Sequence, residues 1–117
     1  MEILHVSAEC YPVAKAGALP KYLAAAGHIA KVVMPMYRTK FLYENKWEVV
    51  HKSSAFLGNT WFDYTIIKEA GNVLGFDLYL VDINGLLDRE KIYGYSDDAE
   101  RFTSFQIAVV DWVSSWK

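Results

Sequence analysis

The sequence predicts an α/β fold, a parallel sheet carrying an inserted antiparallel β-hairpin. Three observations predict it. Residues 3–35 run as apolar segment, loop, alanine-rich helical segment, apolar segment. Residues 47–83 hold three β-rich runs separated by glycine turns. The last twenty residues place large apolar side chains at helical spacing.

Ile3 to Val6 is too short to alternate and reads as a buried strand. Cys10 to Gly17 is a loop punctuated by Pro12 and Gly17, with Lys15 inside it. Ala18 to Ala26 consists of helix formers, with Pro20 in the first turn, where a missing N–H costs nothing, and Gly27 as the stop. Ala30 to Pro35 reads as a second buried strand. Strand, helix and strand at this spacing form a right-handed βαβ unit, and therefore a parallel pair.

The next three runs are Trp47 to Phe56, Trp61 to Lys68 and Phe76 to Ile83, broken at Gly58-Asn59 and Gly71-Asn72. In the second run Phe62, Tyr64 and Ile66 fall on one face, with Trp61, Asp63 and Thr65 on the other. The third is denser in Leu and Val and predicts a return to the central sheet. In the final segment Ser96 or Asp97 is placed to cap a helix whose first turn is acidic, as the helix dipole favours. Phe102, Phe105, Val109, Trp112, Val113 and Trp116 recur along it, and Ile107, Ala108 and Val110 add apolar surface elsewhere. Such a helix is expected to be covered nearly all round.

Bulk chemistry excludes several functions. The 117 residues carry a formal net charge of −2, with the Lys and Arg dispersed, so neither nucleic acid nor an acidic membrane is an expected partner. A single cysteine, Cys10, excludes an internal disulfide and fits a reducing compartment. The amino terminus lacks a secretory pattern, and no apolar run reaches the ~20 residues of a membrane span, so a cytoplasmic location is expected. His5, His28 and His51 show no metal-ligand spacing with Cys10, and no metal site is expected.

Two stretches carry candidate chemistry. A loop after the first strand of an open α/β sheet is where ligands commonly bind, and a helix N-terminus beside Lys15 suits a diphosphate. The same residues equally describe a solvated cation in a turn, and the run is neither a Walker loop nor a dinucleotide fingerprint. In "YGYSDDAERF", Tyr95, Asp97, Asp98, Glu100 and Arg101 combine an aromatic ring, carboxylates and a cation. That set suits sugar hydroxyls; it also suits a capped helix with one ion pair of ~0.2–0.5 kcal/mol. Trp61, Phe62 and Tyr64 read either as a carbohydrate-stacking face or as packing.

Taken in order, "ILHVSAECYPVAKAG", "ALPKYLAAAGH", "VVMPMY", "FDLYLVDINGLLDRE" and "YGYSDDAERFTSFQIAVVDW" resemble the amino-terminal part of bacterial glycogen synthases and starch synthases. The resemblance spans essentially the whole chain and about the first quarter of a family enzyme. It implies a partial amino-terminal Rossmann-like domain, residues 1–117, of a two-domain GT-B retaining glucosyltransferase, without the second, donor-binding domain. It implies ADP-glucose as donor, itself a substrate rather than a cofactor, and an α-1,4-glucan as acceptor. Lys15 and Gly17 match the family's phosphate-contacting loop, and Tyr95 matches its tyrosine near the sugar. His5, Glu9, Asp97 and Arg101 stand as supports around that site, while the main catalytic residues are expected outside this chain.

The chain departs from the family at two places. Lys15-Ala16-Gly17 runs directly into Ala18-Leu19-Pro20, without the second glycine, leucine and sugar-contacting aspartate of the family loop. Asp98 stands where the family has asparagine. Because the residues that stabilise the departing diphosphate are expected in the second domain, the isolated chain is expected to be inactive, and the apolar face left without that domain is expected to drive self-association. The rival reading is a stand-alone, non-catalytic interaction module that kept the scaffold and lost the donor loop.

Overall fold

The computed structural model describes residues 2–6, 29–38, 40–71, 77–88 and 94–115. They form five strands, β1 (Glu2–Val6), β2 (Ile29–Pro35), β3 (Trp47–Leu57), β4 (Thr60–Glu69) and β5 (Asp77–Asp82). Two helices accompany them, α1 (Lys40–Glu44) and α2 (Asp98–Ser114). The expected helix over Ala18–Ala26 and the loop before it lie outside the described residues.

The sheet order is β1-β2-β5-β4-β3. β1, β2 and β5 are parallel, with Val6 opposite Val33 and Pro35 opposite Val81. β4 runs antiparallel to both β5 and β3. The hairpin is therefore inserted in sequence between β2 and β5, but in space it extends the sheet beyond β5. Its two-residue turn is Gly58-Asn59, closed by the Leu57–Thr60 pair, and Gly58 sits at φ 59°, a conformation glycine adopts without a Cβ penalty. A bulge between Val49 and His51 bends β3, which is the edge strand.

The period of two along β2 and β5 divides the core between the two sheet faces. Val33, Tyr79 and Val81 join Tyr64, Ile66, Phe105, Ala108, Val109 and Trp112 beneath α2. Val32, Met34, Leu78 and Leu80 form the core of the opposite face with Tyr37. Burial of each such aliphatic side chain stabilises the fold by roughly 1.5–3 kcal/mol. The two faces expected for β4 separate as the alternation predicts: Tyr64 and Ile66 are buried and Phe62 packs against the same cluster, whereas Trp61 and Asp63 are exposed.

Two expectations are corrected. Asp97 occupies the N-cap position of α2, but neither Ser96 nor Asp97 supplies a side-chain cap; the N-cap side chain makes no hydrogen bond to the helix. The carboxylate of Asp98, one residue later, instead reaches back to accept from the Gly94 and Tyr95 amides at 2.9 and 3.2 Å. Nor is α2 covered all round among the described residues. Its buried side is Arg101, Ser104, Phe105, Ala108, Val109 and Trp112, while Val110 is 65% exposed.

Candidate functional site

In an open α/β sheet the ligand crevice lies outside the carboxyl ends of the parallel strands. Here that edge carries the ends of β1, β2 and β5 and the segments that follow them. The Met36 amide donates to the Val81 carbonyl at 2.8 Å, which keeps the chain after β2 alongside the end of β5. Arg38 and Asp82 follow at once.

Asp82 is half-buried, and one of its carboxylate oxygens, Oδ1, is buried without a hydrogen-bond partner. Burial pushes its pKa up, the Asp88 charge pushes the same way, and the Arg38 guanidinium opposes both. Arg38 in turn meets Asp88, Nη2 to Oδ2 at 3.5 Å. The other Asp88 oxygen accepts from the Gly85 amide at 2.7 Å and closes the turn after β5, where Gly85 has φ 83°. One cation and two carboxylates thus gather at the sheet's carboxyl edge.

The segment leading into α2 is held from behind by Arg101. Its side chain is fully buried, an arrangement that requires every donor to be well placed. Nε donates to the Leu86 carbonyl at 2.6 Å and Nη1 to Asp98 Oδ1 at 2.8 Å. The guanidinium carbon lies 4.7 Å from the centre of the Tyr95 ring and 5.3 Å from that of Phe102, within cation–π range. A single buried cation thereby fixes the turn after β5, the carboxylate at the start of α2, and the plane of Tyr95. Desolvation would raise the Asp98 pKa, but hydrogen bonds from the Gly94 amide, Arg101 and the Tyr95 amide, with the Arg101 charge, bring it below the ordinary carboxylate value.

Of the residues singled out by sequence, Tyr95, Asp97 and Arg101 come together at this edge. Arg101 is a structural support, with its charge turned inward. Asp97 contributes its backbone carbonyl, which accepts the first helical bond from the Arg101 amide at 2.9 Å. His5 pairs through its backbone with Val32 in β1. Lys15, Gly17 and Glu9 lie outside the described residues. Arg38, Asp82 and Asp88 are additions; the signal that finds them is their position just past the ends of β2 and β5, the same rule that singles out the loop after β1. No group of His, Cys, Asp and Glu among the described residues is arranged to hold a metal ion. No helix among them is long and apolar enough to cross a membrane.

A second polar cluster lies away from this edge. Tyr64, buried under α2, donates to Asp111 Oδ2 at 2.5 Å, and His51 Nε2 lies 3.1 Å from the same tyrosine oxygen. Since the tyrosine proton goes to Asp111, His51 contributes an Nε2–H. Burial, then the Asp111 hydrogen bond and charge, push the Tyr64 pKa far up, against a smaller opposing effect of Ser53. The hydroxyl is a structural donor linking β3, β4 and α2.

Comparison with known proteins places this architecture. A family model of the starch synthase catalytic domain matches residues 2–117. A glycogen synthase from Flavobacterium johnsoniae is 52% identical over 97% of the chain, and one from Moorella thermoacetica 36% identical over 94%. The chain spans about a quarter of the length of each, 25% and 23%. Among solved structures, the catalytic domain of starch synthase IV from Arabidopsis thaliana, bound to ADP and acarbose, superposes with a TM-score of 0.78. That match covers 94% of this chain and 24% of the plant chain at 22% identity, a likeness of fold. With a mixed sheet of this order and a family match over residues 2–117, the chain belongs to the starch synthase catalytic domain family.

Proposed function

We propose that this chain forms the amino-terminal wall of the cleft in a glycogen synthase, an enzyme that moves glucose from ADP-glucose to the non-reducing end of an α-1,4-glucan with retention. The observation that carries the proposal is Tyr95, set by the buried Arg101, which is itself bonded to the turn after β5; Arg38, Asp82 and Asp88 gather past the ends of β2 and β5. The plant relative whose fold this chain shares holds ADP and acarbose, a nucleotide and a glucan-like oligosaccharide, and the bacterial relatives are glycogen synthases.

On this reading Lys15 and Gly17 contact the donor diphosphate, Tyr95 borders the transferred sugar, and His5, Glu9, Asp97 and Arg101 support them. ADP-glucose enters as substrate, and no cofactor takes part. The residues that stabilise the departing diphosphate belong to a second domain outside this chain, since charge on a leaving group is best met by preorganised donors in a closed, water-poor cleft. The isolated chain is therefore inactive, and the intact enzyme works in the cytoplasm.

The test is glucose incorporation from labelled ADP-glucose into maltoheptaose. The 117-residue chain alone should give none. A chimera in which it replaces the matching quarter of the Flavobacterium johnsoniae enzyme should transfer glucose, and Lys15→Ala should abolish transfer without unfolding the protein. A folded but inert chimera would refute the proposal.

A further inference from the structure

The last strand of the sheet has an open side. β3 pairs with β4 alone, and among the described residues no strand lies beyond it. The two-residue turn decides which of its backbone groups stay open. Leu57 and Thr60 close the hairpin as a hydrogen-bonded pair, so Leu57, Ala55 and Ser53 direct their N–H and C=O groups to β4. Phe56, Ser54 and Lys52 direct theirs outward. Toward the start of β3 the bulge between Val49 and His51 breaks this alternation, and Lys52 sets a charge beside it. Both devices blunt an edge against pairing with another whole sheet. Residues 52–57 remain as a short, regular, open segment.

A hollow runs along that same segment. It measures about 670 Å3 and lies between Ser54, Ala55 and Phe56 on one side and Ile107 and Val110 of α2 on the other. Val110 is exposed, and Phe56 stacks on the exposed Trp61 with ring centres 3.7 Å apart, an apolar ridge at the hairpin tip. An open strand edge beside an apolar hollow, closed across the way by a helix, is a geometry that takes an added strand. The main chain of the newcomer pairs with the edge, and its alternate side chains drop between strand and helix. Charge sets what flanks those side chains. Asp111 lies in the wall of the hollow, and the described lining holds no Lys or Arg, so a cationic neighbour is favoured and an acidic one repelled.

We infer that residues 52–57 of β3 and the facing side of α2 form a docking groove for an extended peptide segment of another protein. The segment adds as a further strand beside β3, sets a large apolar side chain between Phe56 and Val110, and brings a lysine or arginine to Asp111. A second copy of this chain fits the groove poorly. Ala55 faces α2, and alternation puts Ser53 on the same side. Paired about a two-fold axis through the sheet, the second β3 would offer the hollow only these small side chains and leave it unfilled.

The test uses the 117-residue chain and a fluorescein-labelled, end-blocked peptide in which threonine alternates with valine and phenylalanine and a lysine stands at each end. Saturable binding by fluorescence anisotropy is expected. Two versions of the peptide, N-methylated at one or the other alternate set of amides, should differ about tenfold, because only one set faces β3. Glutamate in place of the lysines should weaken binding. Val110→Arg fills and charges the hollow from an exposed helix position, so the variant should fold and bind about tenfold more weakly. On binding, hydrogen exchange should slow at the Lys52, Ser54 and Phe56 amides, while those of Ser53 and Ala55, already bonded to β4, change little. A contact made through side chains alone does not produce that alternation. Absence of binding, equal affinity of the two N-methylated peptides, undiminished binding to Val110→Arg, or protection confined to residues outside 52–57 would each overturn the inference. So would a dimer of the chain that is dispersed by Ser54→Pro, which removes an outward N–H without touching the β4 ladder, since the occupant would then be a second copy.

Discussion

Arg101→Met is the most informative single change in the described structure. Methionine keeps the length and bulk of the side chain, so the loss is that of the guanidinium rather than of packing. The Leu86 carbonyl, held at 2.6 Å, loses a charge-assisted bond and is left unpaired inside the protein, which costs about 1.5–3 kcal/mol. Loss of the Tyr95 and Phe102 ring contacts adds about 1 kcal/mol, and relief from burying a charge offsets part of the sum. Asp98 keeps its two backbone donors and faces water, so its side contributes little. The expected net loss is about 3 kcal/mol, a large share of the roughly 5–15 kcal/mol that holds a typical domain together. Urea unfolding followed by circular dichroism should show the midpoint falling by roughly 1–3 M with an unchanged slope. Hydrogen exchange at the Gly94 and Tyr95 amides should accelerate as the turn loosens. A loss below about 1 kcal/mol, with those amides still protected, would refute the role assigned to Arg101.

Other perturbations test other parts of the structure. Tyr64→Phe removes the hydroxyl between Asp111 and His51 and should cost about 1–2 kcal/mol, read by the same urea titration. Gly58→Ala forces a Cβ into a left-handed position in the hairpin turn and should cost about 1 kcal/mol, visible as a lower thermal midpoint. The folded pKa of Asp98 is depressed, so its contribution is present above the unfolded value near pH 4 and is lost as pH falls through the folded value; Asp98→Asn should flatten that acid limb. The folded pKa of Asp82 is raised, which gives the opposite sign. Asp82→Asn should stabilise the chain at pH 7, and the gain should fade as pH falls toward 4 in pH-dependent unfolding.

Most of the fold is legible in the sequence because its signals are local. Alternation along Thr60–Glu69 identifies the inward face of β4, and Gly58-Asn59 between two β-rich runs announces the hairpin. The apolar spacing after residue 97 announces α2, and all five strands fall within two residues of their expected bounds. The five-residue α1 carries no such signal. It is too short for a helical period to emerge, and it is secured by a later residue, the Trp47 indole donating to the Leu42 carbonyl at 2.9 Å. The cap of α2 is ambiguous for another reason. Ser96, Asp97 and Asp98 are three consecutive candidates, and only the path of the preceding turn decides that Asp98 reaches back.

The site is legible where a motif is contiguous, as from Tyr95 to Arg101, and hidden where it is assembled across the chain. Arg38 and Asp88 are fifty positions apart and meet because β2 and β5 are neighbours in the sheet. The inward turn of the Arg101 charge also depends on distant contacts, above all the carbonyl of Leu86. The exposed ridge of Phe56 and Trp61 follows from the hairpin register, which a reading of one strand's alternation captures for Trp61 alone.

Whether this chain forms one wall of a glucan-extending cleft is tested by glucose transfer in the chimera built on the Flavobacterium johnsoniae enzyme. Incorporation from ADP-glucose into maltoheptaose is expected from the chimera, none from the 117-residue chain, and a loss of incorporation in the Lys15→Ala chimera. A chimera that is folded, yet transfers no glucose, would contradict it and favour a module that kept this scaffold without its chemistry.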